Sequence, residues 1–361
     1  MTSIEYSPFI KELRAWIASG EAISYHRSVN SFGGYLSADI FNEFCGFQLE
    51  QQYDIDDLNY DLATIQPMLD HTMLFVGNNK ELYELLLDHV ADTFQNPHLR
   101  APRVWVIKGL QGSGKTVWLQ LAFEGVLGND NPRANGGHGG RGLFASFANS
   151  YQVLREKFGD PSFGRKIIVF DDEQEGGDVV KRTAAMRNWV TSNLRLLESK
   201  YSKGKYAEEL AQLFILTNES NVVDLGGIDN RRYIIVQMDS SMIGKKPYFD
   251  KLFAMTKSPA FHINWFKYMM AQDLSRYSRY NPILPQTELM ISQYIESRPA
   301  GPSYLFQRFM TSVTPDPIIH CVDKNCKGNS TQGPRHHISS KYPCPNAPHS
   351  LQLPPFLEPA F

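Results

Sequence analysis

The sequence predicts an α/β domain with a mainly parallel sheet, preceded by a helical segment and followed by a helical cap. Three observations support this fold class. Short apolar runs have the length and composition of buried strands, and they cover residues 104–108, 143–148, 166–170, 213–217 and 233–238. Helical segments lie between several of these runs, one of them covering residues 182–201. A glycine-rich loop and then a helix directly follow the first run.

The composition is that of an ordinary globular protein. Of the 361 residues, 42% are hydrophobic and 20% are charged, and the net charge is −2, so any nucleic-acid surface must be a local patch. No stretch resembles a secretory signal or is apolar for long enough to span a bilayer. Four cysteines in a chain of this length do not resemble a disulfide framework. We therefore expect a soluble intracellular protein that does not associate with membranes.

Changes in composition divide the chain into four segments. Residues 1–96 are mixed and partly helical, and we predict that they act as a collar or docking arm. Residues 97–240 form the predicted P-loop ATPase core, and residues 241–310 form the helical cap. Residues 311–361 are rich in Pro, His, Ser and Asn, a composition that predicts a flexible tail.

The clearest helix of the first segment is NNKELYELLLDHVADTF, residues 78–94. Asn78 or Asn79 is its expected N-cap, and Asn96 followed by Pro97 ends it. Its predicted apolar face consists of Leu82, Leu85, Leu86, Val90 and Phe94.

The tail has an alternative interpretation as a zinc site. Four ligands would come from Cys321, Cys326, His336, His337, Cys344 and His349. Their spacings are irregular and include no C-x-x-C pair, which favours a flexible tail with scattered thiols and imidazoles.

The segment GLQGSGKT, residues 109–116, fits the phosphate-binding pattern G-x-x-x-x-G-K-[ST] and has a strand before it and a helix after it. Glycines allow backbone N–H groups to turn toward phosphate oxygens. The lysine reaches the β- and γ-phosphates, and the threonine hydroxyl binds Mg²⁺. The sequence therefore predicts a site for ATP and Mg²⁺ formed by Gly109, Gly112, Ser113, Gly114, Lys115 and Thr116.

Acidic and amide side chains follow two further buried strands. In IIVFDDEQE, the strand ends in Asp171, Asp172 and Glu173. Asp171 would hold Mg²⁺ through water, and the next acid would orient or deprotonate the attacking water. In LFILTNES, Asn218 would bond the attacking water or the γ-phosphate. The alternatives are an acidic turn in solvent and a simple Asx turn.

Two adjacent arginines begin the last apolar run of the predicted core. Arg231 and Arg232 follow Asp229 in the segment GGIDNRRYIIVQMD. An arginine supplied in cis or in trans stabilises the charge that gathers on the γ-phosphoryl oxygens, an effect worth about 10³–10⁵ in rate. We predict that one of the two reaches the γ-phosphate of a neighbouring subunit and that the other pairs with Asp229 or another nearby acid.

The order of these motifs resembles the superfamily-three helicases, more closely the primase–helicase branch of viruses, phages and plasmids. The similar segments are the P-loop, DDEQEGGD, LLESKY, NRRYIIV and NPILPQTELMISQ, and they cover residues 80–309. The resemblance implies an AAA+-like core, assembly as a hexameric ring, and ATP-driven 3′-to-5′ translocation on single-stranded or forked DNA. It also implies the cytoplasm, nucleoid or nucleus of a host. A primase domain is not expected, because the region before residue 80 is short.

Carried over by position, the resemblance assigns phosphate and Mg²⁺ binding to Lys115 and Thr116. Asp171 would be the acid on the Mg²⁺ side, Asn218 the water sensor, and Arg231 and Arg232 the finger pair. The chain departs from the family at Asp172, where a catalytic glutamate is usual. Asp172 would then be a weaker base, unless Glu173 takes over this role.

The family contacts DNA with a hairpin loop between the acidic strand and the Asn strand. This interval contains SKYSKGKY, in which Lys200, Lys203 and Lys205 lie beside Tyr201 and Tyr206. Lysines in such a loop would bind phosphates, and a tyrosine would stack on a base. The alternative is the solvated end of a helix with ordinary turn lysines.

Three functions remain open at this point. The first is an ATP-driven DNA helicase that replicates a viral or mobile element. The second is a P-loop kinase or phosphotransferase, which would need a small acceptor and ignore DNA. The paired arginines and the basic loop argue against it. The third is a DNA-binding ATPase scaffold without motor activity, and Asp172 is the feature that favours it.

Overall fold

The computed structural model describes residues 19, 27–29, 40–42, 44, 46–129, 142–148, 162–171, 186–197, 205–219, 223, 231–280 and 287–296. The chain divides into two units, Met1–Met310 and Thr311–Phe361, and all described residues belong to the first. The cysteines and histidines predicted as alternative zinc ligands lie outside these ranges. Within them, no three His, Cys, Asp or Glu residues form a group that would hold a metal ion.

A five-stranded parallel sheet forms the centre of the first unit. Its strands are β3 (Val104–Lys108), β4 (Phe144–Phe147), β5 (Ile167–Asp171), β8 (Gln212–Thr217) and β9 (Tyr233–Gln237). They are arranged in the order β4-β5-β8-β3-β9, and every neighbouring pair is parallel. The predicted α/β fold class is confirmed, and each strand coincides with one of the five apolar runs to within two residues.

The strands are apolar throughout because both faces of the sheet are covered. Along β3, Trp105 and Ile107 point into one hydrophobic cluster, and Val104 and Val106 point into the other. This alternation is the two-residue period of a strand. A parallel sheet buried on both sides needs apolar residues in both registers, which explains why the runs show no polar alternation.

Helices from the N-terminal segment cover one face of the sheet. They are α1 (Gln48–Gln52), α2 (Leu62–Phe75) and α3 (Lys80–Gln95), and the short parallel pair β1 (Arg27–Val29) and β2 (Ile40–Asn42) precedes them. The N-cap of α3 is Asn79, whose side chain accepts a hydrogen bond from the Leu82 backbone at 3.0 Å. Of the predicted apolar face, four residues are fully buried and Leu85 is partly buried.

The helix after the glycine-rich loop changes its winding along its length. It comprises α4 (Lys115–Leu119), a π-helical turn (Gln120–Glu124) and α5 (Gly125–Leu127). Trp118 joins it to α2, because its ring stacks on Phe75 with centroids 4.1 Å apart and its Nε1 donates to Thr72 Oγ1 at 2.9 Å. The N-terminal segment and the loop-bearing helix therefore share one hydrophobic core.

Within the described residues, three helices follow the sheet, in agreement with the predicted helical cap. They are α6 (Lys246–Met255), α7 (Pro259–Met270) and α8 (Glu288–Glu296). Trp265 of α7 donates from Nε1 to the carbonyl oxygen of Ala122 at 3.0 Å, which fixes α7 against the loop-bearing helix. None of the helices that the structure describes combines the length and apolarity needed to cross a bilayer.

The predicted helix over residues 182–201 is wrong in its second half. Residues 186–191 are helical, but β6 (Leu194–Leu197) then pairs in antiparallel fashion with β7 (Lys205–Glu208). The run Thr191-Ser192-Asn193 lies at the change, and such short polar side chains favour helix ends because they bond to nearby backbone. The Ser192 hydroxyl donates to the Leu194 carbonyl at 2.6 Å, which fixes the chain at the point where the helix gives way to the hairpin.

Candidate nucleotide-binding site

The glycine-rich loop occupies the carboxyl end of β3. Its first residue bonds to the neighbouring strand, because the Gly109 N–H donates to the Thr217 carbonyl at 3.0 Å. Gly112 and Gly114 have φ values of +79° and +100°, in the left-handed region that glycine adopts without steric cost. These conformations explain why glycine is favoured at both positions, of which the pattern itself specifies only Gly114.

A second reason for glycine applies at residue 114. A Cβ atom there would lie 2.7 Å from Cε1 of His71 and 2.9 Å from Cε1 of Phe249, distances that real Cβ atoms do not tolerate. A Cβ on Gly112, by contrast, would meet nothing within 4 Å. The loop is therefore tightly packed against His71 and Phe249 at Gly114 and has open space at Gly112, which a bound ligand would need.

Lys115 lies across the loop and reaches the next strand. Its Nζ donates to the Gly109 carbonyl at 2.6 Å, to the Leu110 carbonyl at 3.2 Å and to Asn218 Oδ1 at 3.0 Å. Asn218 follows β8, so the lysine of the glycine-rich loop and the predicted water sensor are in direct contact.

Thr116 makes the corresponding contact with the acidic strand. Its Oγ1 donates to Asp171 Oδ2 at 3.2 Å, and Asp171 is the last residue of β5. A hydroxyl and a carboxylate are hard oxygen ligands of the kind that Mg²⁺ prefers, so this donor set fits the predicted metal ion. Asp172 and Glu173, the predicted alternative bases, lie outside the described residues.

These side chains open into one cavity of about 940 Å³. Its lining includes residues 111–117 of the loop and helix, Asp171, Asn218, and the aromatic pair Phe249 and Phe253 from α6. Cavities that bind small molecules usually measure about 300–1,000 Å³. The cavity is therefore large enough for a whole nucleotide and not only for its phosphates.

His71 supports the loop from α2, a contact that the sequence analysis missed. Its Nε2 lies 3.1 Å from the Gly114 carbonyl oxygen and its Nδ1 lies 2.8 Å from the Tyr248 hydroxyl. A carbonyl only accepts, so Nε2 carries the proton and the tyrosine donates to Nδ1. Burial lowers the pKa of His71 to about 4, which keeps the ring neutral near pH 7. No local pattern indicates this role, because the partners are 43 and 177 residues away.

Arg231 and Arg232 lie at the other edge of the sheet. They precede β9, both are exposed, and the Arg232 carbonyl accepts from the Val104 N–H at 2.6 Å. Because β9 and β3 are parallel, the arginines are at the amino edge and the loop is at the carboxyl edge. Five residues of strand at about 3.3 Å each separate the edges by roughly 16 Å. The structure thus keeps both arginines away from the cavity of their own chain. Asp229 is outside the described residues.

Of the predicted DNA-binding lysines, one is placed by the structure, at the start of a strand that pairs with β6. Lys205 is the first residue of β7, whereas Lys200, Lys203 and Tyr201 lie outside the described residues. Tyr206 pairs with Leu196 across the hairpin and is 72% exposed. The predicted segment therefore connects two strands, as a hairpin requires, and at least one aromatic side chain on it is open to solvent.

No protein-family model matches this chain, and no curated protein matches it in sequence. Among solved structures, the apo structure of the NrS-1 C-terminal region (305–718) is similar, with a TM-score of 0.59 and 13% identity over 81% of this chain and 67% of that chain. An A form of the same region gives a TM-score of 0.59 at 14% identity, with the same coverage. A JCV helicase structure reaches only a TM-score of 0.36 at 12% identity, which carries no argument. At such identities, what is shared with the NrS-1 C-terminal region is the fold.

Proposed function

We propose that this chain is an ATP-driven DNA helicase that translocates on single-stranded DNA as a ring during replication of a viral or mobile element. One observation carries the proposal. Lys115 contacts Asn218 and Thr116 contacts Asp171, so side chains from the carboxyl ends of β3, β5 and β8 meet in one cavity. This set combines a phosphate-binding loop, a metal-binding acid and a water-orienting amide, which are groups that hold a nucleotide and orient the attacking water for hydrolysis.

The groups that line the cavity would have different roles in hydrolysis. Backbone N–H groups of the loop and the positive end of α4 would hold the phosphates. Lys115 would exchange its loop carbonyl partners for β- and γ-phosphate oxygens while staying close to Asn218. Asn218 would orient the attacking water, and Asp172 or Glu173 would accept its proton.

Thr116 and Asp171 are the residues that would hold Mg²⁺. When bound, the ion would neutralise charge that develops on the phosphate oxygens. In the structure the two side chains bond to each other, which keeps both oxygens at the edge of the cavity.

The arginine positions support assembly as a ring. Arg231 and Arg232 lie at the amino edge of the sheet, so they serve a nucleotide only if it is bound to another subunit. A head-to-tail contact between identical subunits brings one edge of a subunit against a different edge of its neighbour, and such contacts form a ring when the rotation between subunits closes. A homo-oligomer, for which we propose six subunits, would then contain one complete site at each interface.

The hairpin supports contact with DNA. Its connection contains Lys200 and Lys203, and Lys205 and the exposed Tyr206 begin β7. Lysines that bind phosphates, together with an aromatic ring that stacks on a base, form a grip on one strand that does not depend on sequence. A kinase of small molecules has no use for such a hairpin.

The test is steady-state ATP hydrolysis by the full chain, with and without single-stranded DNA, at low and moderate salt. We expect DNA to stimulate turnover and moderate salt to weaken this effect, because phosphate contacts release counterions. Lys115→Ala should abolish turnover, and Leu58→Ala, which changes an exposed residue, should leave turnover unchanged. Turnover that ignores DNA and requires a small acceptor would instead identify a phosphotransferase. ATP binding without turnover would identify a scaffold and implicate Asp172.

A further inference from the structure

Two phenylalanines of α6 border the cavity. Phosphate binding does not require aromatic rings. Phe249 and Phe253 are four residues apart, so they lie on one face of the helix. Both line the same cavity as Lys115 and Asp171. Phosphates and metal ions are bound by N–H groups, cations and oxygen ligands. The phosphate and metal chemistry described above therefore gives Phe249 and Phe253 no role.

Phe253 is unusually exposed for its size and position. Its neighbours on α6, Leu252 and Met255, are buried in the core, whereas Phe253 is 52% exposed. Phe249 is half-buried and fixed from behind, since its ring stands edge-on to Tyr248 and to His71, with centroids 5.2 and 6.5 Å apart. The helix thus presents an anchored ring and an open ring, one turn apart, to the same cavity.

The order of the strands determines which part of a nucleotide faces these rings. In the sheet, β3 lies between β8 and β9. Asp171 and Asn218 follow β5 and β8 on one side of the loop, whereas α6 follows β9 on the other side. A triphosphate held by the loop with its terminal phosphate next to Asn218 would therefore extend its sugar and base toward α6. The cavity, at about 940 Å³, has room for the whole nucleotide.

We propose that Phe253, supported by Phe249, is the surface on which the nucleobase of the bound nucleoside triphosphate stacks. This inference rests on the proposed nucleotide-binding function and adds the base-binding side of the same site. A phenyl ring contacts the flat face of a base, which every base presents, so Phe253 contributes affinity for nucleotides without selecting among bases.

The test compares two triphosphate ligands, of which only ATP carries a nucleoside. ATP and inorganic tripolyphosphate, each with Mg²⁺, are titrated calorimetrically into the full chain and into its variants. Base stacking on an aromatic side chain is worth about a five- to 100-fold change in affinity. Phe253→Ala should therefore weaken ATP binding by roughly this factor and leave tripolyphosphate binding unchanged. Lys115→Ala should weaken the binding of both ligands.

Two further variants complete the experiment. Phe253→Trp keeps an aromatic face and should retain or improve ATP affinity. Leu58→Ala removes an equally exposed apolar side chain (49%) that does not line the cavity, and it should bind both ligands as the unmodified chain does.

The outcomes separate the inference from the function on which it rests. If the unmodified chain binds ATP and tripolyphosphate but Phe253→Ala binds ATP equally well, the stacking surface is wrong and the nucleotide site stands. An equal loss for both ligands also overturns the inference, because Phe253 would then act on the loop or on subunit assembly. If the unmodified chain binds neither ligand, the proposed function fails and the inference fails with it.

Discussion

His71 joins the glycine-rich loop to two helices that are distant in sequence. It lies on α2, donates to the Gly114 carbonyl and accepts from Tyr248 of α6. Gly114 is the loop residue with the most positive φ, and its carbonyl accepts from the Trp118 N–H at 3.1 Å as well as from His71. The histidine therefore positions the loop without touching the ligand.

Removing the His71 donor should lower nucleotide affinity as well as the free energy of unfolding. His71→Leu removes one of the two donors to the Gly114 carbonyl, which keeps the Trp118 N–H at 3.1 Å, and it removes the acceptor of the Tyr248 hydroxyl. The expected cost is about 1–3 kcal/mol in the free energy of unfolding. His71→Gln keeps an N–H donor and should recover most of the binding. The measurements are urea unfolding and titration with ATP. His262→Leu is the matched control, because His262 is also buried but bonds to the Thr256 carbonyl, outside the loop. Equal losses of ATP affinity in the two leucine variants would contradict a positioning role for His71.

The same histidine has a defined effect on stability at acid pH. Its pKa in the folded chain is about 4, against an ordinary value of 6.5, because burial disfavours the imidazolium. Between these values the unfolded chain binds a proton at this position and the folded chain does not, so stability falls as the pH falls from 6.5 to 4. The contribution is at most about 3 kcal/mol. His71→Gln lacks it and should therefore lose less stability than the unmodified chain over this range.

Among the elements, the core strands were predictable from their own residues, whereas the hairpin was expected only from the family resemblance and not from the pattern of residues 194–197. Each core strand is a short apolar run with polar or glycine residues at its ends, so burial on both faces is visible in the sequence itself. Residues 194–197 also look apolar, but Leu194 and Leu196 are not core residues, since they are 54% and 46% exposed. The strand conformation of residues 194–197 depends on their pairing with β7, and the residue pattern of one segment carries no information about its partner strand.

The site was predictable to the same extent and for the same reason. Lys115, Thr116, Asp171 and Asn218 each follow a strand, and parallel strands bring their carboxyl ends to one edge, so local motifs suffice to predict that they meet. His71 and Phe253 enter the site from helices outside the sheet. Their contacts depend on how α2 and α6 pack, and sequence spacing does not encode this packing.

The β6–β7 hairpin should govern the dependence of activity on DNA. Tyr206 is 72% exposed and lies beside the lysine-rich connection. Tyr206→Ala should raise the concentration of single-stranded DNA that gives half-maximal stimulation of ATP hydrolysis, by about five- to 100-fold, because one stacking contact is lost. Tyr206→Phe should preserve the stimulation. Tyr280→Ala removes a tyrosine of similar exposure (60%) from elsewhere on the surface, and an equal effect there would argue against the hairpin.

At the scale of the whole molecule, the site is divided between the two edges of the sheet. The loop, Asp171 and Asn218 lie at the carboxyl edge, and Arg231 and Arg232 lie at the amino edge. Under the proposed function, a monomer has the groups that would bind and orient a nucleotide, but its own arginine pair does not reach that nucleotide. This division predicts that turnover depends on protein concentration, because only an assembled interface contains both halves.

Mixing inactive variants tests this division directly. Arg231→Ala or Arg232→Ala should still bind ATP but lose turnover, and Lys115→Ala should lose turnover because it does not hold the phosphates. In an equimolar mixture, an arginine variant supplies the intact loop and a Lys115→Ala neighbour supplies the intact arginines. With random assembly of head-to-tail interfaces, about a quarter would then be complete, so at most about a quarter of the unmodified activity should return. The measurement is ATP hydrolysis at several mixing ratios, and recovery should be greatest near equal amounts. If no ratio restores turnover although the subunits assemble, the arginines do not act between subunits, and their position at the amino edge requires another explanation.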